Sequence, residues 1–217
     1  MQNLRRASAP YVRLMEVTVA RCSEIGHEQM QNPSLSTDEQ GEVQRFTRVH
    51  RDWDYYLLHG FRLAPAASHD NHRANWGTGH STRTAVLAPR LDRDALLDAV
   101  DQRVVYASED PNLQLRFYAG GRVPMGGALR TTEAGVRAWA EVFDPDDDGP
   151  VELRVFHGVV GGEAVEQVST QTIAGGERVH LTLELDRPGE HFFYVEVFQR
   201  DTDRMAWSAP IWVERLE

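Results

Sequence analysis

The sequence predicts a two-part fold: an α/β segment over 1–111, followed by an antiparallel β-sandwich over 112–217. Three observations lead there. Before Pro111, apolar residues recur every three to four positions in two stretches set between short apolar runs. After Asp110-Pro111 they alternate with polar residues. No helical period returns beyond that point.

Within the first part, residues 11–19 (YVRLMEVTV) read as a buried strand. A polar stretch over 20–40 follows, long for a loop in a compact domain. Val43, Phe46, Val49 or His50, Trp53 and Leu57 then lie on one face of an expected helix over 42–58, with Gly60 where a helix C′ glycine sits. FRLAPAA (61–67) reads as a second buried strand, so that strand, helix and strand form the βαβ unit of a parallel sheet or barrel. A second helix is expected over 92–103. Asp92 is its N-cap, Leu91 staples onto Leu96, and Ala95, Leu96, Ala99 and Val100 form its apolar face.

The second part is written in period two. Leu113, Leu115 and Phe117 alternate with polar residues, as do Val151, Leu153 and Val155, then Val179, Leu181, Leu183 and Leu185, then Phe193, Val195 and Val197. Turn signals separate the runs at Gly120-Gly121, 144–150, Gly161-Gly162, Gly175-Gly176 and Pro188-Gly189. Short alternating strands without intervening helices predict a sandwich, with Leu181, Leu183, Val195 and Val197 in its core.

Composition narrows the function. A net charge of −10, with arginines dispersed among acids, argues against a nucleic-acid partner. No apolar run approaches the ~18 residues of a membrane span. Cys22 is the single cysteine, so a metal would have to sit on His, Asp and Glu. The first ten residues lack the apolar core of a signal peptide, and for a complete chain the cytoplasm is the expectation.

The densest polar cluster, His69-Asp70-Asn71-His72-Arg73, follows the 61–67 strand directly. A carboxylate and an imidazole two residues apart suit a divalent ion such as zinc, manganese or iron. The same spacing also arises in an ordinary solvated loop.

The stretch Ser68 to Gly77, with Thr82-Arg83-Thr84-Ala85-Val86 and Val105-Tyr106-Ala107-Ser108-Glu109-Asp110, resembles the C-terminal part of a PHP (polymerase and histidinol phosphatase) barrel. More narrowly it is similar to the carbaryl-hydrolase-like (CehA/McbA) branch, and the closing Ala206-Trp207-Ser208-Ala209-Pro210-Ile211-Trp212-Val213 resembles that branch's tail. The resemblance implies a partial PHP-type (β/α) barrel, a fragment, ahead of the sandwich. It implies metal ligands at Asp70 and His72, pocket residues at His69, Arg73, Trp76 and Arg83, and a structural Glu16 on the preceding strand. It also implies a metal-dependent hydrolase acting on a small-molecule ester, phosphoester or carbamate through metal-bound hydroxide. The family's H-x-H motif occurs nowhere in the chain, so the metal site is expected to be incomplete, and the unfinished barrel to favour association. The alternative is a non-catalytic binding or interaction module in which the sandwich is the working part.

Other polar features read as structural. Asp144-Pro145-Asp146-Asp147-Asp148-Gly149 has calcium-loop spacing, but Val155 stands where the bidentate Glu belongs, so an acidic hairpin turn is expected. His27 and Glu28 read as solvated loop, His50 and His59 as helix-packing and capping groups. Ser68 and Ser81 lack the nucleophile-elbow context.

Overall fold

A computed structural model describes residues 12–19, 36–37, 43–44, 52–68 and 81–217. The alternating sequence beyond Pro111 folds as expected into strands. Four of them form one sheet in the order β13 (Arg178–Glu184), β10 (Gly135–Phe143), β7 (Gln114–Ala119), β8 (Val123–Pro124). A larger sheet runs β12 (Val165–Ile173), β11 (Val151–Val159), β14 (Gly189–Gln199), β15 (Arg204–Ser208), β6 (Val105–Ser108), β5 (Arg83–Val86). β16 (Ile211–Arg215) pairs with the first half of β14 and, in parallel, with β9 (Ala128–Thr131).

The sheets close over one apolar layer. Leu115, Phe117, Ala138, Ala140, Val179 and Leu183 of the smaller sheet meet Leu153, Val155, Val195, Val197, Ala206 and Ile211 of the larger. Leu183, Val195 and Val197 are buried as expected; Leu181 is half-buried against the same core.

The larger sheet is covered on its second face as well. Phe156, Phe192, Tyr194, Phe198, Trp207 and Trp212 pack with Val17, Trp53, Leu57, Leu63 and Ala67 of the N-terminal part. Central strand β14 is therefore buried on both sides from His191 to Gln199, which explains the near-continuous run HFFYVEVF. A short helix, α1 (Asp54–Leu58), anchors the covering layer. Trp53 donates its indole N–H to Leu63 O (3.1 Å) and its ring lies 4.8 Å from that of Tyr194, whose hydroxyl donates to Asp54 Oδ1 (2.9 Å).

The barrel expectation is overturned. β1 (Leu14–Val19) and β4 (Ala64–Ser68) do pair in parallel, but they form a separate two-stranded ladder. β5 and β6, which flank the helix α2 (Arg93–Asp101), pair antiparallel and extend the sandwich's larger sheet through β15. A strand–helix–strand order is necessary for a βα barrel but does not fix strand direction, and here the helical connection returns the chain antiparallel. Strands on both sides of Pro111 thus share one sheet.

Two local expectations are also corrected. Of the helix expected over 42–58, the described residues are helical over 52–58, a π-helical turn at 52–53 leading into α1, and Val43–Gln44 (β3) instead pairs with Ser36–Thr37 (β2). Phe46 lies outside the described residues, whereas Trp53 and Leu57 are fully buried as expected. Asp92 caps α2 by accepting from Ala95 N (2.9 Å), but Leu91 is 93% exposed and forms no staple.

Candidate ligand-binding surface

The expected metal ligands Asp70 and His72, with His69, Arg73 and Trp76, lie outside the described residues. The strand that leads to them is firmly held. Thr84 Oγ1 bonds both the N–H and the carbonyl of Ala67 (2.8 Å each), Thr82 Oγ1 donates to Ser68 O (2.9 Å), and the Ser68 hydroxyl donates to the Glu16 carboxylate. Arg83, the remaining pocket candidate, is half-buried at the start of β5, where its Nη1 donates to Thr82 O (2.8 Å). Among the described residues no group of three or more His, Cys, Asp or Glu is placed to hold a metal.

The acidic run at 144–149 is a turn between β10 and β11. Asp144 Oδ1 accepts from Asp146 N (2.9 Å), Asp147 Oδ1 from Gly149 N (2.8 Å), and Asp144 Oδ2 from Gln199 Nε2 (2.6 Å). Its carboxylates satisfy backbone and neighbouring amides. His59 caps α1, with Nδ1 2.7 Å from Tyr55 O.

A polar concavity lies on the outer face of the smaller sheet. Strand alternation sends Arg137, Trp139 and Glu141 of β10 outward while Val136, Ala138 and Ala140 face the core. Cross-strand register then builds rows. Glu141 sits between Arg116 and Arg178 and ion-pairs with both, at 3.1 and 2.7 Å. Trp139 sits between Tyr118 and His180. Tyr118 stacks on the indole (4.5 Å, 9°) and the Arg178 guanidinium lies 4.0 Å from the ring centre, arriving from the opposite flanking strand. The protein's own groups therefore use the ring faces, leaving the indole edge for the concavity.

Beyond this rib the face opens into a hollow of about 640 Å³. Gly120, Gly121 and Gly135 are part of its lining; Gly120 and Gly121 both have positive φ (58° and 82°) in the β7–β8 turn, and a Cβ on Gly121 would meet nothing within 4 Å. Arg122, Arg130, Arg137, His180 and Thr131 line the walls. Among the described residues no carboxylate is part of the lining, and Glu184, the cross-strand partner of Gly135, is the carboxylate beside it. Arg130 ion-pairs with Glu214 (2.7 Å); Arg122 and Arg137 are exposed and make no side-chain hydrogen bond or ion pair with the described residues. In a chain of net charge −10 that contains no lysine, this is a local reversal of sign.

A second polar feature lies between the sheets. His157 and His191 face each other, Nε2 to Nδ1, at 2.9 Å, and His191 Nε2 lies 2.8 Å from the Arg187 carbonyl. That carbonyl can only accept, so His191 carries its proton on Nε2 and its Nδ1 accepts from His157 Nε2–H. Burial, and then His191, push the His157 imidazole down to about 4. The other large sheet face holds a buried network in which Glu196 accepts from Arg154 Nη1 and Trp207 Nε1, both at 2.8 Å. Neither group was legible in the sequence: nothing in the spacing of single histidines or glutamates shows which strand will sit opposite.

Residues 58–141 match a family described as "Protein of unknown function (DUF3604)", well under half of the chain. No curated protein matches the chain. Among solved structures it is similar to the PmoD soluble domain from Methylocystis sp. ATCC 49242 (Rockwell), at 12% identity over 46% of this chain and 90% of that one, with a TM-score of 0.31. A likeness that slight carries no argument. The family match and the fold overturn the PHP resemblance, since the stretch that carries it falls largely within a different family match and the described fold contains no barrel. A short D-x-H segment and a few strand-end residues recur by chance too readily to define a family.

Proposed function

We propose that the chain is a ligand-binding module whose working part is the β-sandwich, with the arginine-lined hollow on its smaller sheet receiving an anionic small molecule. One observation supports the reading above all: Arg122 and Arg137, without an ion-pair partner among the described residues, line one concavity of an otherwise acidic protein beside Arg130, which is already paired with Glu214. Like charges held together repel, and an anion relieves that repulsion. Guanidinium groups bind carboxylate and phosphate oxygens through paired N–H donors, and Arg122 and Arg137 have theirs uncommitted to any described residue. Gly121, beside which a Cβ would meet nothing within 4 Å, lets a ligand approach the backbone closely.

The test is calorimetric titration of the chain with citrate, phosphate and an uncharged polyol of similar size. Saturable citrate binding is expected, weakening as salt is raised and falling by about tenfold or more in Arg122→Ala/Arg137→Ala. It should not require zinc or manganese, which separates this reading from metal-dependent hydrolysis at Asp70 and His72. Citrate binding no stronger than that of the polyol, or unchanged in the double variant, overturns it.

A further inference from the structure

Resting on that reading, the geometry points to an acidic oligosaccharide as the ligand, with a uronate carboxylate in the arginine-lined hollow and a neighbouring hydroxylated sugar unit lying across β9. A second hollow of about 400 Å³ adjoins the first, and Leu129 and Arg130 line both. β9 is thus a ridge from which a single extended ligand reaches either side.

The two hollows differ in chemistry. The second is lined by the pair Arg130 Nε to Glu214 Oε2 (2.7 Å) and by Arg62, whose Nη2 is paired with Glu190 Oε1 (2.6 Å) outside the lining. Each pair presents N–H donors beside carboxylate acceptors and carries no net charge, a combination that matches the adjacent hydroxyl groups of a sugar ring. Between them lie Ala128, half-buried Leu129 and the Arg62 guanidinium stacked 5.5 Å from the centre of the buried Trp212 ring. That strip suits the C–H face of a pyranose. A uniformly charged polyphosphate would meet Glu214 and be repelled there. A ligand charged at one end and hydroxylated along the next unit is complementary to both hollows.

The experiment compares uronic-acid trisaccharides, their carboxyl-reduced neutral counterparts, citrate, and an acidic hexapeptide by titration calorimetry. The oligouronate should bind at least about tenfold more tightly than citrate, and the reduced sugar more weakly than either. Arg62→Gln should collapse the ratio of oligouronate to citrate affinity towards one, while Arg137→Ala weakens both ligands; thermal melting confirms that the variants are folded. Citrate bound as tightly as the oligouronate, a ratio unmoved by Arg62→Gln, or preference for the acidic peptide overturns the saccharide assignment while leaving anion binding intact. Failure of every anion to bind overturns both.

Discussion

At the scale of single residues, the His157–His191 contact has a pH consequence whose sign follows from proton counting. His157 keeps a folded value of about 4 against 6.5 when unfolded, so between those values the unfolded chain binds more protons. Stability therefore falls as pH drops from about 6.5 towards 4, and this contribution is flat above that window. Asp186 opposes the shift and Arg187 adds to it, with Glu184 and His180 lining the adjoining cleft of about 230 Å³. His157→Gln keeps a side-chain donor for His191 without a titrating ring. Its melting temperature should decline less steeply than the wild type's across pH 6.5 to 4; parallel slopes would show that His157 does not titrate differently on folding. At the hollow, the relevant residues were visible as letters but not as a site. Arg122, Arg130 and Arg137 are spread over sixteen positions and come together only because β9 and β10 run past the Gly120-Gly121 turn.

Secondary-structure elements were legible wherever burial was one-sided. Alternation in Val179, Leu181 and Leu183 identified the core face of β13, and Asp92 identified the start of α2. Legibility failed where a pattern is shared by two structures. The apolar spacing from Val43 to Leu57 fits a single helix, yet pairing places Val43–Gln44 in a ladder, and the described residues are helical over 52–58. Likewise β5, α2 and β6 have the order of a parallel unit and the pairing of an antiparallel one. The hydrophobic run of β14 gave one face correctly; its second buried face became intelligible once α1 was seen to cover it. α1 is short, so its stability comes from packing rather than propensity. Truncating fully buried Trp53 to Ala should cost roughly 3–5 kcal/mol, measured by denaturant unfolding. A loss below about 1 kcal/mol would mean the covering layer is not coupled to the sheet.

Taken as a whole, the described structure is a three-layer arrangement in which the larger sheet is sealed on one side by the smaller sheet and on the other by N-terminal elements. β6 supplies hydrogen bonds to β15, and Val105 and Tyr106 supply core volume, with the Tyr106 hydroxyl donating to Leu113 O (2.6 Å). A fragment restricted to 112–217 would lose these and lay bare Phe192, Tyr194, Trp207 and Trp212. It should aggregate or melt without a cooperative transition. A soluble fragment with a sharp transition would establish 112–217 as an autonomous domain. The central claim, that the sandwich binds an anion on its outer face, is tested most directly by mapping amide and indole chemical-shift changes in the labelled chain as citrate is added. Saturable shifts concentrated at Gly120, Gly121, Gly135, Arg137 and the Trp139 indole are the expected result. Shifts confined to the segment after β4 around Asp70 and His72, or small changes scattered without saturation, would contradict it.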